Sequence, residues 1–173
     1  SDTDCLILPG VGAFKHGMDA LYEEKIVDFL HEVNKSRIPI LGICLGMQLM
    51  STLSYEFGEN KGLNLIPGEV KRISNNDDKK LRLPNVGWFS LDISSRKNEL
   101  VNAMIKDVKK NDKFYFIHSY TVTSNDFVVA YSMISQNIRV SSITARDNIV
   151  GLQFHPEKSG PAGLTLLKNF INF

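Results

Sequence analysis

The chain has 173 residues, with 20 Lys and Arg against 19 Asp and Glu, a formal net charge of +1, 43% hydrophobic residues and 23% charged residues. This is an ordinary globular composition, long enough for one domain with a sizeable core. It offers no basic run that would follow a nucleic-acid backbone and no apolar run near the ~20 residues of a membrane helix, so nucleic acid and membrane are set aside as partners. Only two cysteines are present, Cys5 and Cys44, without a disulfide or zinc spacing; a reducing cytoplasm is expected.

In chain order, Asp4–Leu8 reads as a short buried strand closed by Pro9-Gly10. Lys15–Lys35 carries apolar residues at Met18, Leu21, Tyr22, Ile26, Phe29, Leu30 and Val33, which predicts one amphipathic helix. Arg37–Ile43 is a continuous apolar strand of the kind covered on both faces, and Leu45–Leu53 follows as a helix. Strands are then expected at Leu63–Ile73, Val86–Ile93, Phe114–Val122, Phe127–Met133, Ile138–Ala145 and Ile149–Phe154, before a closing helix at Pro161–Phe173. Asn75–Arg82 mixes charges of both signs and reads as a solvated loop. The alternation at the start of the chain predicts an α/β sheet.

Two segments carry chemistry. In Gly42-Ile43-Cys44-Leu45-Gly46 a strand runs into a cysteine flanked by glycines at two positions to either side, and a helix follows. That is nucleophile-elbow spacing, and a helix start favours a thiolate. Taken alone, the pattern fits a buried structural cysteine about as well. In Gln153-Phe154-His155-Pro156-Glu157, a histidine ends the last strand on the same sheet edge, two residues before a carboxylate. Nucleophile, base and orienter are thereby available as Cys44, His155 and Glu157. His16 and His31 are read as ordinary surface or packing histidines.

Together Pro9-Gly10-Val11-Gly12, Gly42-Ile43-Cys44-Leu45-Gly46-Met47-Gln48 and Gln153-Phe154-His155-Pro156-Glu157 resemble the class I, triad-type glutamine amidotransferases. Pro9–Phe14, Leu83–Trp88, Tyr115–Tyr120 and His155–Ser159 narrow the resemblance to the glutaminase subunits of imidazole glycerol phosphate synthases. The resemblance implies a flavodoxin-like α/β fold, with a central, mostly parallel sheet flanked by helices and an added antiparallel region. It implies a single domain over residues 1–173. The family pattern opens with a further strand and a Gly/Asn-rich turn, so an N-terminally incomplete domain is expected.

The implied roles run residue by residue. Cys44 would attack the amide of glutamine, His155 would act as base and acid, and Glu157 would orient it. The N–H of Leu45 and one from the loop of Val11 and Gly12 would form the oxyanion hole, with Val11 as a switch. Gln48 and Glu56 would line the glutamine pocket, Glu56 receiving the α-amino group, while Ser119 and Tyr120 would meet the α-carboxylate. Trp88 and Lys158 would face a (β/α)₈ synthase subunit in a heterodimer, which would take the ammonia for histidine biosynthesis. No metal or organic cofactor is expected.

Asn85 and Phe89 stand where this family commonly has His and Asn. If they face the partner, a paralogue serving another synthase, such as one amidating nucleotide sugars or surface polysaccharides, becomes the alternative. A catalytically silent subunit is the reading from another class. A cysteine peptidase lacks support, because Gln48 and the Pro9–Gly12 loop suit a small amide better.

Overall fold

A computed structural model of the chain describes residues 4–74, 81–94, 98–123 and 126–173. Its centre is a six-stranded mixed sheet in the order β1-β2-β12-β11-β10-β7. The strands are β1 (Leu6–Gly10), β2 (Ile40–Cys44), β12 (Ile149–Leu152), β11 (Ile138–Arg146), β10 (Val128–Ser135) and β7 (Asp92–Ile93). β2 pairs in parallel with β1 and β12, and the remaining neighbours pair antiparallel. The expected α/β sheet with an added antiparallel region is present, but the central sheet is mixed where a mostly parallel one was expected: parallel pairing is confined to β1, β2 and β12, and β11, β10 and β7 extend it antiparallel.

All five residues of β2 are buried, because the sheet is covered on both faces. Ile40 and Ile149 pack on one side against α1 (Phe14–Glu23), α2 (Ile26–Lys35) and α3 (Leu45–Leu49). Leu41, Val150 and Leu152 pack on the other against α4 (Glu99–Ile105) and α5 (Gly160–Ile171), together with Phe114, Phe116 and Phe154. A four-stranded sheet, β4 (Asn60–Lys61), β3 (Leu53–Ser54), β5 (Glu69–Arg72) and β9 (Tyr120–Thr123), and a pair of β6 (Asn85–Ser90) with β8 (Lys113–His118), build the rim beyond.

Several expected boundaries shift for physical reasons. The single helix over Lys15–Lys35 is two helices, broken where Lys25 takes a left-handed φ of 56°. A continuous helix would carry the buried stripe of Phe14, Met18 and Leu21 on to Lys25, Asp28 and Glu32; the break re-phases it onto Leu30 and Val33. Of Leu63–Ile73 only Glu69–Arg72 is strand. Residues 63–66 instead direct their N–H groups to the carbonyls of Leu49, Met50 and Ser51, satisfying the exposed end of α3. Val86–Ile93 divides into β6 and β7, and Phe114–Val122 into β8 and β9, each pair split between two sheets. The helix α4 was not anticipated; Asn98 caps it by accepting from the N–H of Val101 at 3.0 Å. Of the expected loop Asn75–Arg82, residues 75–80 lie outside the described residues.

α3 lies very close to the sheet. A Cβ built on Gly46 would stand 1.9 Å from the carbonyl oxygen of Leu8, and one on Gly42 would stand 2.8 Å from the N of Met47. The glycines on either side of Cys44 are thus a packing requirement of the strand–helix junction.

Candidate active site

The carboxyl ends of β1, β2 and β12 converge, the usual place for a site in an open α/β sheet. Gly10 is the register partner of Cys44, so the loop after β1 is delivered beside the end of β2. A cavity of about 350 Å³ opens there, lined by Val11, Gly12, Cys44, Leu45, Gln48 and Glu56 on one side. Pro84, Ile117, His118, Ser119, Tyr120, His155 and Lys158 close the other. Every residue expected to act in catalysis or substrate contact lines it except Glu157, which stands behind His155. Trp88 does not line it.

Cys44 is the last residue of β2 and immediately precedes α3, with φ 54° and ψ −106°. A non-glycine residue in this region is strained, and such strain collects at functional sites. Burial pushes the thiol up to about 11, opposed by the N–H of Leu45, reinforced by the charge of Glu157, and opposed again by Lys158 and Gln153. The sulfur lies 4.0 Å from the carbonyl of Ile117, to which it donates, and 3.9 Å from Nε2 of Gln153.

His155 is buried, and its Nδ1 donates to Oε1 of Glu157 at 2.7 Å. That bond leaves Nε2 as the free basic position. Nε2 is buried without a hydrogen-bond partner. The backbone of His155 is clamped: its N–H donates to the carbonyl of Tyr115 at 2.9 Å, and its carbonyl accepts from Oγ of Ser159 at 2.6 Å. Thiol and imidazole thus share the cavity wall without bonding one another, an arrangement common before substrate binds.

The substrate-contact candidates are partly committed within the protein. Oε2 of Glu56 accepts from the N–H of Phe14 at 2.7 Å and so caps the start of α1, while the carboxylate still lines the cavity. Gln48 is buried, and its Nε2 donates to the carbonyl of Tyr120 at 3.2 Å and to Oε1 of Gln153 at 3.0 Å. Gly12 has a φ of 101°, and Val11 beside it is 79% exposed, so the loop after β1 presents backbone and an uncovered apolar side chain at the cavity mouth.

Trp88 is exposed and packs edge-on to Tyr115, with ring centroids 5.7 Å apart. Along β6, Val86 and Trp88 point outward while Asn85 and Phe89 point inward. Asn85 is buried and its Nδ2 donates to Nε2 of His118 at 3.3 Å; Phe89 packs on Phe116. The departures at Asn85 and Phe89 therefore lie on the inner side of the strand and do not alter the exposed face.

Two residues at the site carried no assigned role in the sequence reading. His118 donates through Nδ1 to the Tyr120 carbonyl at 2.7 Å, and burial pulls its pKa down to about 4. Gln153 is fully buried. A glutamine inside the apolar run Ile149–Phe154 was the available signal, since a buried amide requires partners. Among the described residues no group of three or more His, Cys, Asp or Glu side chains could hold a metal, and no helix is long and apolar enough to cross a membrane.

Comparison with known proteins agrees with this geometry. The family model described as Glutamine amidotransferase class-I matches residues 1–173. The imidazole glycerol phosphate synthase subunit HisH of Lactococcus lactis subsp. lactis is 40% identical over 169 residues, covering 97% of this chain and 79% of that protein. The subunit of the same name from Bacillus cereus is 40% identical over 168 residues, covering 97% and 76%. Among solved structures, PurLQS of Thermotoga maritima has a TM-score of 0.64 at 18% identity, over 96% of this chain and 78% of that one. The glutaminase domain of Trypanosoma brucei CTPS has a TM-score of 0.63 at 18% identity, over 98% and 71%. These two show the fold alone.

Proposed function

Since the chain belongs to the class-I glutamine amidotransferases, and within them to the HisH family, we propose that it is the glutaminase subunit of an imidazole glycerol phosphate synthase. It hydrolyses glutamine to glutamate and ammonia, and the ammonia passes to a (β/α)₈ synthase subunit. There it enters a lyase-type reaction of histidine biosynthesis. The observation that carries the chemistry is a strained cysteine at a strand–helix junction sharing one cavity with a histidine whose other ring nitrogen is bonded to a carboxylate.

In this reading Sγ of Cys44 adds to the side-chain amide carbon of glutamine while Nε2 of His155 takes the thiol proton. The carbonyl oxygen becomes an oxyanion. It meets the N–H of Leu45 and an N–H from the loop of Val11 and Gly12, each donor of this kind being worth about 3 kcal/mol in the transition state. Collapse breaks the C–N bond, and His155 hands its proton to the departing nitrogen as ammonia. Water then attacks the thioester, losing a proton to His155, which returns it to the sulfur as glutamate leaves. Glu157 holds the imidazole in the productive tautomer and stabilises its charged form. The carboxylate of Glu56 receives the α-amino group of the substrate, and Ser119 and Tyr120 meet its α-carboxylate. Trp88 and Lys158 face the synthase subunit.

A quenched-turnover experiment tests this chemistry. During glutamine hydrolysis, mass spectrometry of the Cys44 peptide is expected to show a γ-glutamyl adduct that is absent from Cys44→Ala. Glutamate release by Cys44→Ala at the wild-type rate would overturn it. The paralogue reading loses its sequence support, because Asn85 and Phe89 do not lie on the exposed face.

A further inference from the structure

Beside the nucleophile, three groups form a buried relay. The carbonyl of Tyr120 accepts from Nε2 of Gln48 at 3.2 Å. The same nitrogen donates to Oε1 of Gln153 at 3.0 Å. Nε2 of Gln153 then faces Sγ of Cys44 at 3.9 Å. Both glutamine side chains are buried, Gln153 with no exposure at all.

The direction of the relay is forced. A carbonyl only accepts, so the end of Gln48 beside Tyr120 must be its NH₂ group. That nitrogen has a second proton, which requires the oxygen of Gln153 opposite it. Turning either amide over would set two donors or two acceptors against each other between two buried side chains, at the cost of a buried hydrogen bond. The NH₂ end of Gln153 is therefore left with the sulfur as its counterpart. The carbonyl of Tyr120 is itself anchored from a second direction by Nδ1 of His118 at 2.7 Å.

The geometry points to Gln153 as a further catalytic residue of Cys44: a fixed N–H donor to its sulfur, set in orientation by Gln48 and the Tyr120 carbonyl, that favours the thiolate and holds the sulfur on the cavity wall. The inference rests on the glutaminase reading for its role in turnover, but not for its effect on the thiol. A buried sulfur that must become anionic has few donors: the N–H of Leu45 at the helix start and this amide. Gln153 is fixed before substrate arrives, so its bond needs no reorganisation when charge develops.

The test follows iodoacetamide alkylation of Cys44 in the full chain at pH 8.5 by peptide mass spectrometry, with Cys5 as internal control, for Gln153→Met. Loss of the donor is expected to raise the thiol by about one pH unit. Tenfold less thiolate, partly offset by its greater nucleophilicity, gives alkylation about threefold slower. With the synthase subunit present, kcat for glutamate release should fall about tenfold while KM stays within about twofold. Gln48→Met, which removes the orienting donor but leaves Gln153, should slow alkylation in the same direction by less. In the ¹⁵N-labelled wild-type chain, the Gln153 side-chain amide signals should shift when Cys44 is alkylated, a readout that no folding defect can affect. Unchanged alkylation in a folded Gln153→Met, or unmoved Gln153 signals in the wild type, overturns the proposal. Slower alkylation in a chain with no glutaminase activity would instead leave it standing and overturn the glutaminase reading.

Discussion

At the scale of single residues the site joins opposing demands. The proposed attack on an amide needs a sulfur free of its proton, yet burial pushes the Cys44 thiol up to about 11. The free protein is accordingly expected to show Cys44 alkylation that keeps rising through pH 9 toward 11; a plateau near pH 7 would show a thiolate already formed. Glu157→Gln preserves the shape of the pair with His155 but removes the charge that stabilises its imidazolium. A fall of about 10² to 10⁴ in kcat is expected, with little change in KM. His118 makes a different prediction. Burial depresses its pKa to about 4, so the unfolded chain binds its proton first as pH falls. Its contribution to stability is complete above the unfolded value near 6.5 and is lost progressively between about 6.5 and 4, amounting to about 3 kcal/mol. Urea unfolding at pH 7 and pH 4.5 checks this, and His118→Gln should flatten the difference. The residue scale was also the most legible in the sequence. Cys44 and His155 announced themselves through flanking glycines and a strand end. Gln153 and His118 did not, because they are held by contacts with Cys44 and Asn85, 109 and 33 residues away along the chain, that no local pattern records.

At the scale of elements, the junction of β2 and α3 controls the geometry. Gly46→Ala would drive a Cβ into the carbonyl of Leu8 and push α3 off the sheet. A loss of about 3 kcal/mol in urea unfolding is expected. Stability within about 0.5 kcal/mol of wild type would show that the helix moves freely. Lys25 is the converse. Its left-handed φ of 56° joins α1 to α2, and Lys25→Gly should stabilise by about 1 kcal/mol, read in the same way. The break there was hidden from the sequence because the apolar spacing of each helix is regular and only the phase between them shifts. The divided strands were hidden for a related reason. Continuous β-type composition from Phe114 to Val122 does not record that Ser119 turns the chain into a second sheet. By contrast β2 and β12 were readable, since strands buried on both faces leave uninterrupted apolar runs.

At the scale of the whole molecule, one rim of the site gathers exposed apolar side chains: Val11, Val86, Trp88 and Ile117. Val11 and Ile117 line the cavity, and Val86 and Trp88 lie on β6, which pairs with β8 and sets Val86 opposite Ile117. Trp88→Ala is expected to weaken the complex with the synthase partner by about tenfold or more, as for a buried aromatic anchor. Trp88 touches Tyr115, whose backbone is bonded to that of His155 and to Ser159, so the same rim is mechanically connected to the base. The measurement that tests the central claim most directly is glutamate release from glutamine by this chain, with Cys44→Ala as control. It is made with and without the (β/α)₈ barrel of an imidazole glycerol phosphate synthase and the ribotide ligand of that barrel. Release that requires Cys44 and is strongly stimulated by the barrel is the predicted result. Release that is indifferent to the barrel, or that survives in Cys44→Ala, would contradict the assignment.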